Sequence, residues 1–267
     1  MTWQRFAKTL FKMEDADPGY MMLGRAAMST DQKMRFMTAW VTFYNPGIAA
    51  AASEHTGREF WAYLLRQYPT AKRASERRHF RGDQGMTALR SWIAQFPKPE
   101  DMILHMQGDD YFEVKRNGKS VMRVGEYFVW KFADVQERCF RLPCVFPPEA
   151  AKHSPKVPQQ GAKLINLHNE VGETYAVISN YLNDCDMLAP PWYDRPMNMQ
   201  EAETVCCVYK QYRHGKWAPG TRTAKATNSL LATPSNTGEL MLKALHEHSG
   251  IKRKDIKAWA EKTINLL

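Results

Sequence analysis

Apolar positions in the first hundred residues recur at steps of three and four, the period of a helix that buries one face. Met34, Met37 and Val41 fall on one such row, and Phe36, Trp40 and Tyr44 on its neighbour. Ser29 or Thr30 can cap this helix, and the pattern stops before Pro46. A second helix is predicted from about Gly57 to Tyr68, burying Phe60, Trp61, Leu64 and Leu65 and ended by Pro69. A third is predicted from about Gly85 to Phe96, ahead of Pro97 and Pro99. The pattern changes over residues 109–124, where Asn117-Gly118 divides two short runs and signals a β-hairpin with a tight primed turn. Gly125 then opens a helix that reaches about Phe140.

The stretch from Pro143 to Gly161 contains Pro143, Pro147, Pro148, Pro155 and Pro158, and is expected to be a long irregular surface loop. Helical patterns resume from about Leu164 to Asn183 and again from Asn198. There Asn198 and Glu201 have the spacing of an N-cap with a reciprocal third-position glutamate. Two further helices, about 237–248 and 252–265, make a C-terminal cap over 237–267. The expected fold is mainly α: one multi-helical globule and one domain over residues 1–267, with a short β-hairpin.

Composition narrows the partners. Lys and Arg number 37 against 28 Asp and Glu, a formal charge of +9 that favours anionic partners and says nothing about fold. A hydrophobic content of 44% with eight tryptophans argues against disorder. Five cysteines, two of them the adjacent Cys206 and Cys207, do not look like a secreted disulfide framework. The N-terminus is too charged for a signal peptide, and no apolar run approaches the roughly 18 residues a membrane span needs. The expectation is a soluble, intracellular protein with no membrane partner.

Nucleic acid is the anionic partner best matched by the region from Glu203 to Lys225. After the opening glutamate it has no acid, and Lys210, Arg213, Lys216, Arg222 and Lys225 alternate with Tyr209, Tyr212 and Trp217. Cations neutralise a phosphate backbone, and flat rings offer faces on which bases stack. A second basic cluster, Lys72, Arg73, Arg77, Arg78 and Arg81, surrounds the single Glu76. It reads either as a solvated helix end or as a phosphate grip suited to arginine.

Three stretches carry candidate chemistry. In the helix after Gly125, Tyr127, Lys131, Asp134 and Arg138 align in one stripe, opposite Phe128, Val129, Phe132 and Val135. That stripe is either an ordinary solvent-facing one with a Lys131–Asp134 pair, or a general base, Asp134, beside a cation, Lys131. The loop leading into Asn198 gathers Trp192, Tyr193, Asp194 and Arg195 ahead of Glu201 and Glu203, a natural pocket wall or a capping loop. Cys206 and Cys207 read as buried helix residues before nucleophiles. No phosphate-binding G-x-x-x-x-G-K-[ST], dinucleotide G-x-G-x-x-G, zincin histidine spacing or C-x-x-C pair is present. No metal and no cofactor are expected.

The segments DPGYMMLGRA (17–26), ERRHFRGD (76–83), VGEYFVWKFADV (124–135) and NMQEAETVCCVYKQYRHGKWAPG (198–220) together resemble the phage thymidine-hypermodification enzymes. These are the amino acid:DNA transferases, described earlier as α-glutamyl/putrescinyl thymidine pyrophosphorylases. The resemblance implies a mostly helical enzyme, distantly like helix-hairpin-helix DNA glycosylases. It would act on duplex DNA in which a thymine-position base carries a 5-hydroxymethyl group activated by phosphate or pyrophosphate. An amino acid or other amine, such as glycine, would displace that group in the cytoplasm of an infected host cell.

The requirements of such a reaction select residues. A flipped base needs flat partners, for which Tyr127, Trp130, Trp192 and Tyr193 are available. The departing phosphate needs cations, such as Lys131, Arg77, Arg78 or Arg81. The incoming ammonium must lose a proton, for which Asp134 is the first candidate base and Glu203 or Glu126 the next. Arg195 would hold the donor's carboxylate, with Asn198 beside it. Arg73, Arg77, Arg78, Arg81, Lys210, Arg213, Lys216, Trp217 and Arg222 would bind DNA. Two rivals stand beside this reading: a DNA glycosylase or lyase acting on a modified base, and a DNA-binding protein with no catalysis.

Overall fold

The computed structural model describes residues 1–68, 84, 87–88, 90–91, 94–95, 112–117, 119–124, 134–135, 137–141, 151, 154–247 and 249–267. It is mainly helical, and its contacts divide it into two compact units. The first comprises residues 1–25, 134–225 and 250–267, and the second residues 26–133 and 226–249. Among the described residues no helix is long and apolar enough to cross a membrane.

In the first unit lie α1 (Trp3–Lys12), α2 (Pro18–Arg25), the helical residues 134, 135 and 137–140, α6 (Lys156–Ile165), α7 (Val171–Asn183) and α8 (Met199–Arg213). The opening turn of α9 (Thr221–Ala232), a 3-10 turn at Arg253–Asp255 and α11 (Ile256–Ile264) complete it. Helix α8 is the centre, packed against α6, α7 and α1. Its first eight residues are buried all round, and they include the polar Gln200, Glu201, Glu203 and Thr204. A polar group inside a core must find a partner or destabilise the fold, so α8 is where this unit's chemistry concentrates. The approach of α6 to α8 is close: a Cβ on Gly161 would lie 1.9 Å from the Cys206 carbonyl oxygen.

Part of the stretch expected to be an irregular loop is helix α6. Pro155 is its N-cap and Pro158 its third residue, positions where a missing N–H costs no intrahelical hydrogen bond. The helix expected from Leu164 is correspondingly two: α6 ends with Asn166 in the left-handed region, and α7 starts at Val171.

The second unit holds α3 (Thr30–Phe43), α4 (Pro46–Ser53), α5 (Gly57–Gln67), the remainder of α9 and α10 (Asn236–His246). The Ser29 hydroxyl caps α3 by accepting from the Gln32 amide at 3.2 Å. Helix α4 is apolar all round and buried, packed between α3 and α10. Gly47 permits this, since a Cβ there would stand 2.0 Å from the Ser229 carbonyl oxygen. Strands β1 (Phe112–Arg116) and β2 (Lys119–Val124) pair antiparallel, with Arg116 opposite Lys119 and Asn117 at a φ of 50°. The helix expected from Gly85 to Phe96 lies mostly outside the described residues.

Candidate active site

Arg138 is fully buried at the meeting point of three carboxylates in the first unit. Its Nη1 donates to Asp17 Oδ2 at 2.8 Å and to Asp134 Oδ1, one helical turn earlier, at 3.4 Å. Its Nε lies 3.1 Å from Glu201 Oε1. The guanidinium also lies over the Tyr20 ring, 4.5 Å from the centroid, while the Tyr20 hydroxyl donates to Asp134 Oδ2 at 2.7 Å. Burial works against the charge of Arg138, yet Asp17, Asp134 and Glu201 outweigh it and push the pKa up. The stripe holding Asp134 and Arg138 had two readings, an ordinary solvent-facing one and a catalytic one; both residues are inside. Their spacing was legible, but the partner that buries them, Asp17, is 121 residues from Arg138.

Glu137, beside Arg138 in the chain, faces the start of α8. Its Oε1 accepts from Asn198 Nδ2 at 2.7 Å and lies 3.6 Å from Arg195 Nε. Its Oε2 is buried with no hydrogen-bond partner. Burial pushes the Glu137 carboxyl up to about 7; Arg195 and Arg138 pull the other way, while Glu201 and Asp134 push with it.

The capping box expected from the sequence fixes this arrangement. The Glu201 carboxylate accepts from the Asn198 amide at 2.9 Å, and Asn198 Oδ1 accepts from the Gln200 amide at 2.9 Å. Arg195 grips Glu201 through both terminal nitrogens, at 3.1 and 3.0 Å. Its guanidinium is therefore occupied by the protein's own carboxylate, and the role expected for it, holding a donor's carboxylate, would require that pair to open. The preceding loop is held by Asn183, whose side chain pairs with both backbone groups of Met197 at 2.7 and 3.0 Å.

The basic and aromatic region around residues 209–222 is divided by the fold. Tyr209, Tyr212 and Trp217 pack with Phe6 of α1, ring centroids 4.9–5.3 Å from it. Trp217 is 3% exposed and its Nε1 donates to Asp15 Oδ2 at 2.7 Å, so it offers no face to a nucleobase. Asp15 Oδ1 takes the Thr223 amide and hydroxyl at 2.7 and 2.8 Å, an anion on the first turn of α9. Burial raises the Asp15 pKa, against the pull of Thr223, Arg222 and Trp217. Arg222 is half-buried with Nη2 3.4 Å from Asp17 Oδ1. Arg213 and Lys216 are exposed, while Lys210 donates to Gln160 Oε1.

Glu203 faces elsewhere. It is 1% exposed, and it and the surrounding burial push up the pKa values of Cys206 and Tyr175. Cys206, fully buried, is held as a neutral thiol. Of the other expected site residues, Glu126, Tyr127, Trp130, Lys131, Arg73, Arg77, Arg78 and Arg81 lie outside the described residues. Among the described residues no three His, Cys, Asp or Glu side chains are grouped to hold a metal ion. Asp17, Tyr20 and Glu137 were not singled out from the sequence, and no local signal marks them, because what makes them unusual is their long-range partners.

Comparison with known proteins identifies the family. Residues 1–216 match the family described as amino acid:DNA transferase, a span that includes Asp17, Asp134, Glu137, Arg138, Arg195 and Glu201. A putrescinyltransferase of Delftia phage PhiW-14 is 27% identical over 243 residues, covering 86% of this chain and 78% of its own. A glycinyltransferase of Pseudomonas phage PaMx11 is 29% identical over 247 residues, covering 80% of this chain and 85% of its own. The chain belongs to the amino acid:DNA transferase family.

Proposed function

We propose that this protein, working as one DNA-modifying domain over residues 1–267, joins a primary amine to the 5-methylene of a thymine-position base in duplex DNA. Family membership carries the reading, supported by the formal charge of +9 and by a buried carboxylate–guanidinium network of a kind that a pure DNA coat does not need. The 5-methylene is activated by a phosphate or pyrophosphate group, which the amine displaces. Relatives named for putrescine and for glycine point to a donor with a primary amino group, with glycine the first to try. The phage source of both relatives suggests that the reaction takes place in an infected host cell, in its cytoplasm.

The target base leaves the stack at a cost of a few kcal/mol, roughly, and flat side chains such as Tyr127 and Trp130 hold it. Lys131, Arg77, Arg78 and Arg81 steady the departing phosphate, and Arg73, Arg213 and Lys216 contact the DNA backbone. A distant kinship with helix-hairpin-helix DNA glycosylases rests on the sequence resemblance alone.

Mass spectrometry of nucleosides tests the reading. Duplex DNA carrying phosphorylated or pyrophosphorylated 5-hydroxymethyluracil is incubated with the protein and a mixture of amino acids and polyamines. A new aminated thymidine supports it and names the donor. Unchanged DNA with salt-sensitive binding would leave a binding protein, and abasic sites would indicate a glycosylase.

A further inference from the structure

Buried polar atoms without partners are rare in folded proteins, and in the first unit several sit on adjoining residues. Glu137 Oε2 has no donor, Arg138 Nη2 has no acceptor, and neither amide atom of Gln200 is paired. Gln200 lies between Asn198, which holds Glu137, and Glu201, which faces Arg138. Leaving such an atom unsatisfied costs its desolvation penalty, a cost that a bound ligand with matching groups removes.

Resting on the transferase reading, we propose that Glu137 is the general base of the reaction, taking a proton from the incoming ammonium through Oε2. The other described carboxyls of the cluster are engaged. Asp134 accepts from Tyr20 and faces Arg138. Glu201 is held by Arg195 and by its own helix cap. Asp17 accepts from Arg138 and Thr204. Glu137 is anchored by Asn198 on one oxygen and unpaired on the other, the arrangement expected of a base that must be aimed and still available. A carboxyl titrating at about 7 is also matched to proton transfer near neutrality. The charged groups that set this value are Arg195, Glu201, Asp134 and Arg138.

The step balances as follows. The donor's ammonium gives one proton to the Glu137 carboxylate and becomes a free amine. The amine lone pair forms the carbon–nitrogen bond at the 5-methylene as the carbon–oxygen bond to the phosphate group breaks, with the electron pair leaving on that oxygen. The product is a secondary ammonium, and Glu137 returns its proton to solvent or to the released phosphate. Arg138 Nη2 is a further buried donor of the network without an acceptor.

The test is the pH dependence of kcat for glycine transfer to duplex DNA bearing the activated base, in the wild type, Glu137→Gln and Glu137→Asp. The wild-type rate should rise and level off above about pH 7. Glu137→Gln should lose roughly 10²–10⁴-fold, and its residual rate should keep rising toward the amine's own alkaline range. Glu137→Asp should recover part of the loss and the plateau. A Glu137→Gln rate within a few-fold of wild type, with the same profile, overturns the proposal. Should neither variant fold, the wild-type profile decides: a plateau near 7 supports Glu137, and a rise continuing into the alkaline range removes it. A wild type that transfers no amine from any donor overturns the transferase reading instead.

Discussion

Asp15 and Glu137 are both enclosed by the first unit, and their surroundings differ in what is left over. Asp15 accepts from the Trp217 indole on one oxygen and from the Thr223 amide and hydroxyl on the other. It closes the loop before α2 onto the first turn of α9, where a carboxylate meets unpaired N–H groups and the positive end of the helix. Glu137 has one oxygen held and the other buried with nothing to accept from. Beside it Arg138 is surrounded by carboxylates and still has an unpaired nitrogen. A carboxyl that is fully answered by its own chain acts as a structural clamp. One that the chain burdens and leaves incomplete is where a ligand's groups are missing.

Breaking the second region at its centre has the largest expected effect. Arg138→Met leaves Asp17, Asp134 and Glu201 without their shared cation, and removing one partner of a buried charge pair costs about 3–5 kcal/mol. Urea denaturation at pH 7 should show that loss, and a variant as stable as wild type would mean the network does not hold the unit together. Asp15→Ala strands the Trp217 indole and the Thr223 amide, for an expected loss of about 2–4 kcal/mol. The difference between the two regions is sharpened by activity: Asp15→Ala should keep the wild-type pH profile of transfer in whatever fraction remains folded.

Glu137→Gln should move the other way in stability. Glu137 titrates at about 7 in the folded protein against an ordinary 4.5. Between those values the folded state binds more protons than the unfolded one, so wild-type stability falls as pH rises through that window. The glutamine variant lacks this slope and should exceed wild type by about 1–3 kcal/mol at pH 8 while gaining nothing at pH 4. Parallel stability curves for the two proteins would contradict the burial of that charge. The smallest effects belong to the exposed cations. Arg213→Ala and Lys216→Ala should each lower the salt slope of DNA binding by about 1, measured by anisotropy titrations across salt concentrations.

How much of this was legible in the sequence depended on distance along the chain. The Asn198/Glu201 capping box is local, and it is formed as its spacing implies. Ser29 capping α3 is local too. The Asp134–Arg138 spacing was readable, but its face was not. Polar residues along one helix stripe default to solvent, and only the distant Asp17 and Glu201 turn them inward. Trp217 shows the same limit from the other side. Rings among cations suggest a stacking surface, whereas an acid 202 residues away takes the indole into the core. Prolines at 155 and 158 suggested a loop because their position within a helix's first turn depends on where the helix begins. Family membership was carried by scattered motifs, three of which hold Asp17, Asp134 and Glu201 in turn, but Glu137 lies just beyond the one at 124–135 and went unmarked.

The most direct measurement is the titration of Glu137 itself, by carbon NMR of protein labelled at the glutamate side-chain carboxyl, with Glu137→Gln assigning the signal. The account expects that resonance to titrate at about 7 and to shift when a primary amine donor is added. A resonance titrating near 4.5 and indifferent to the donor would contradict it, leaving the unpaired oxygen of Glu137 without a part in the transfer.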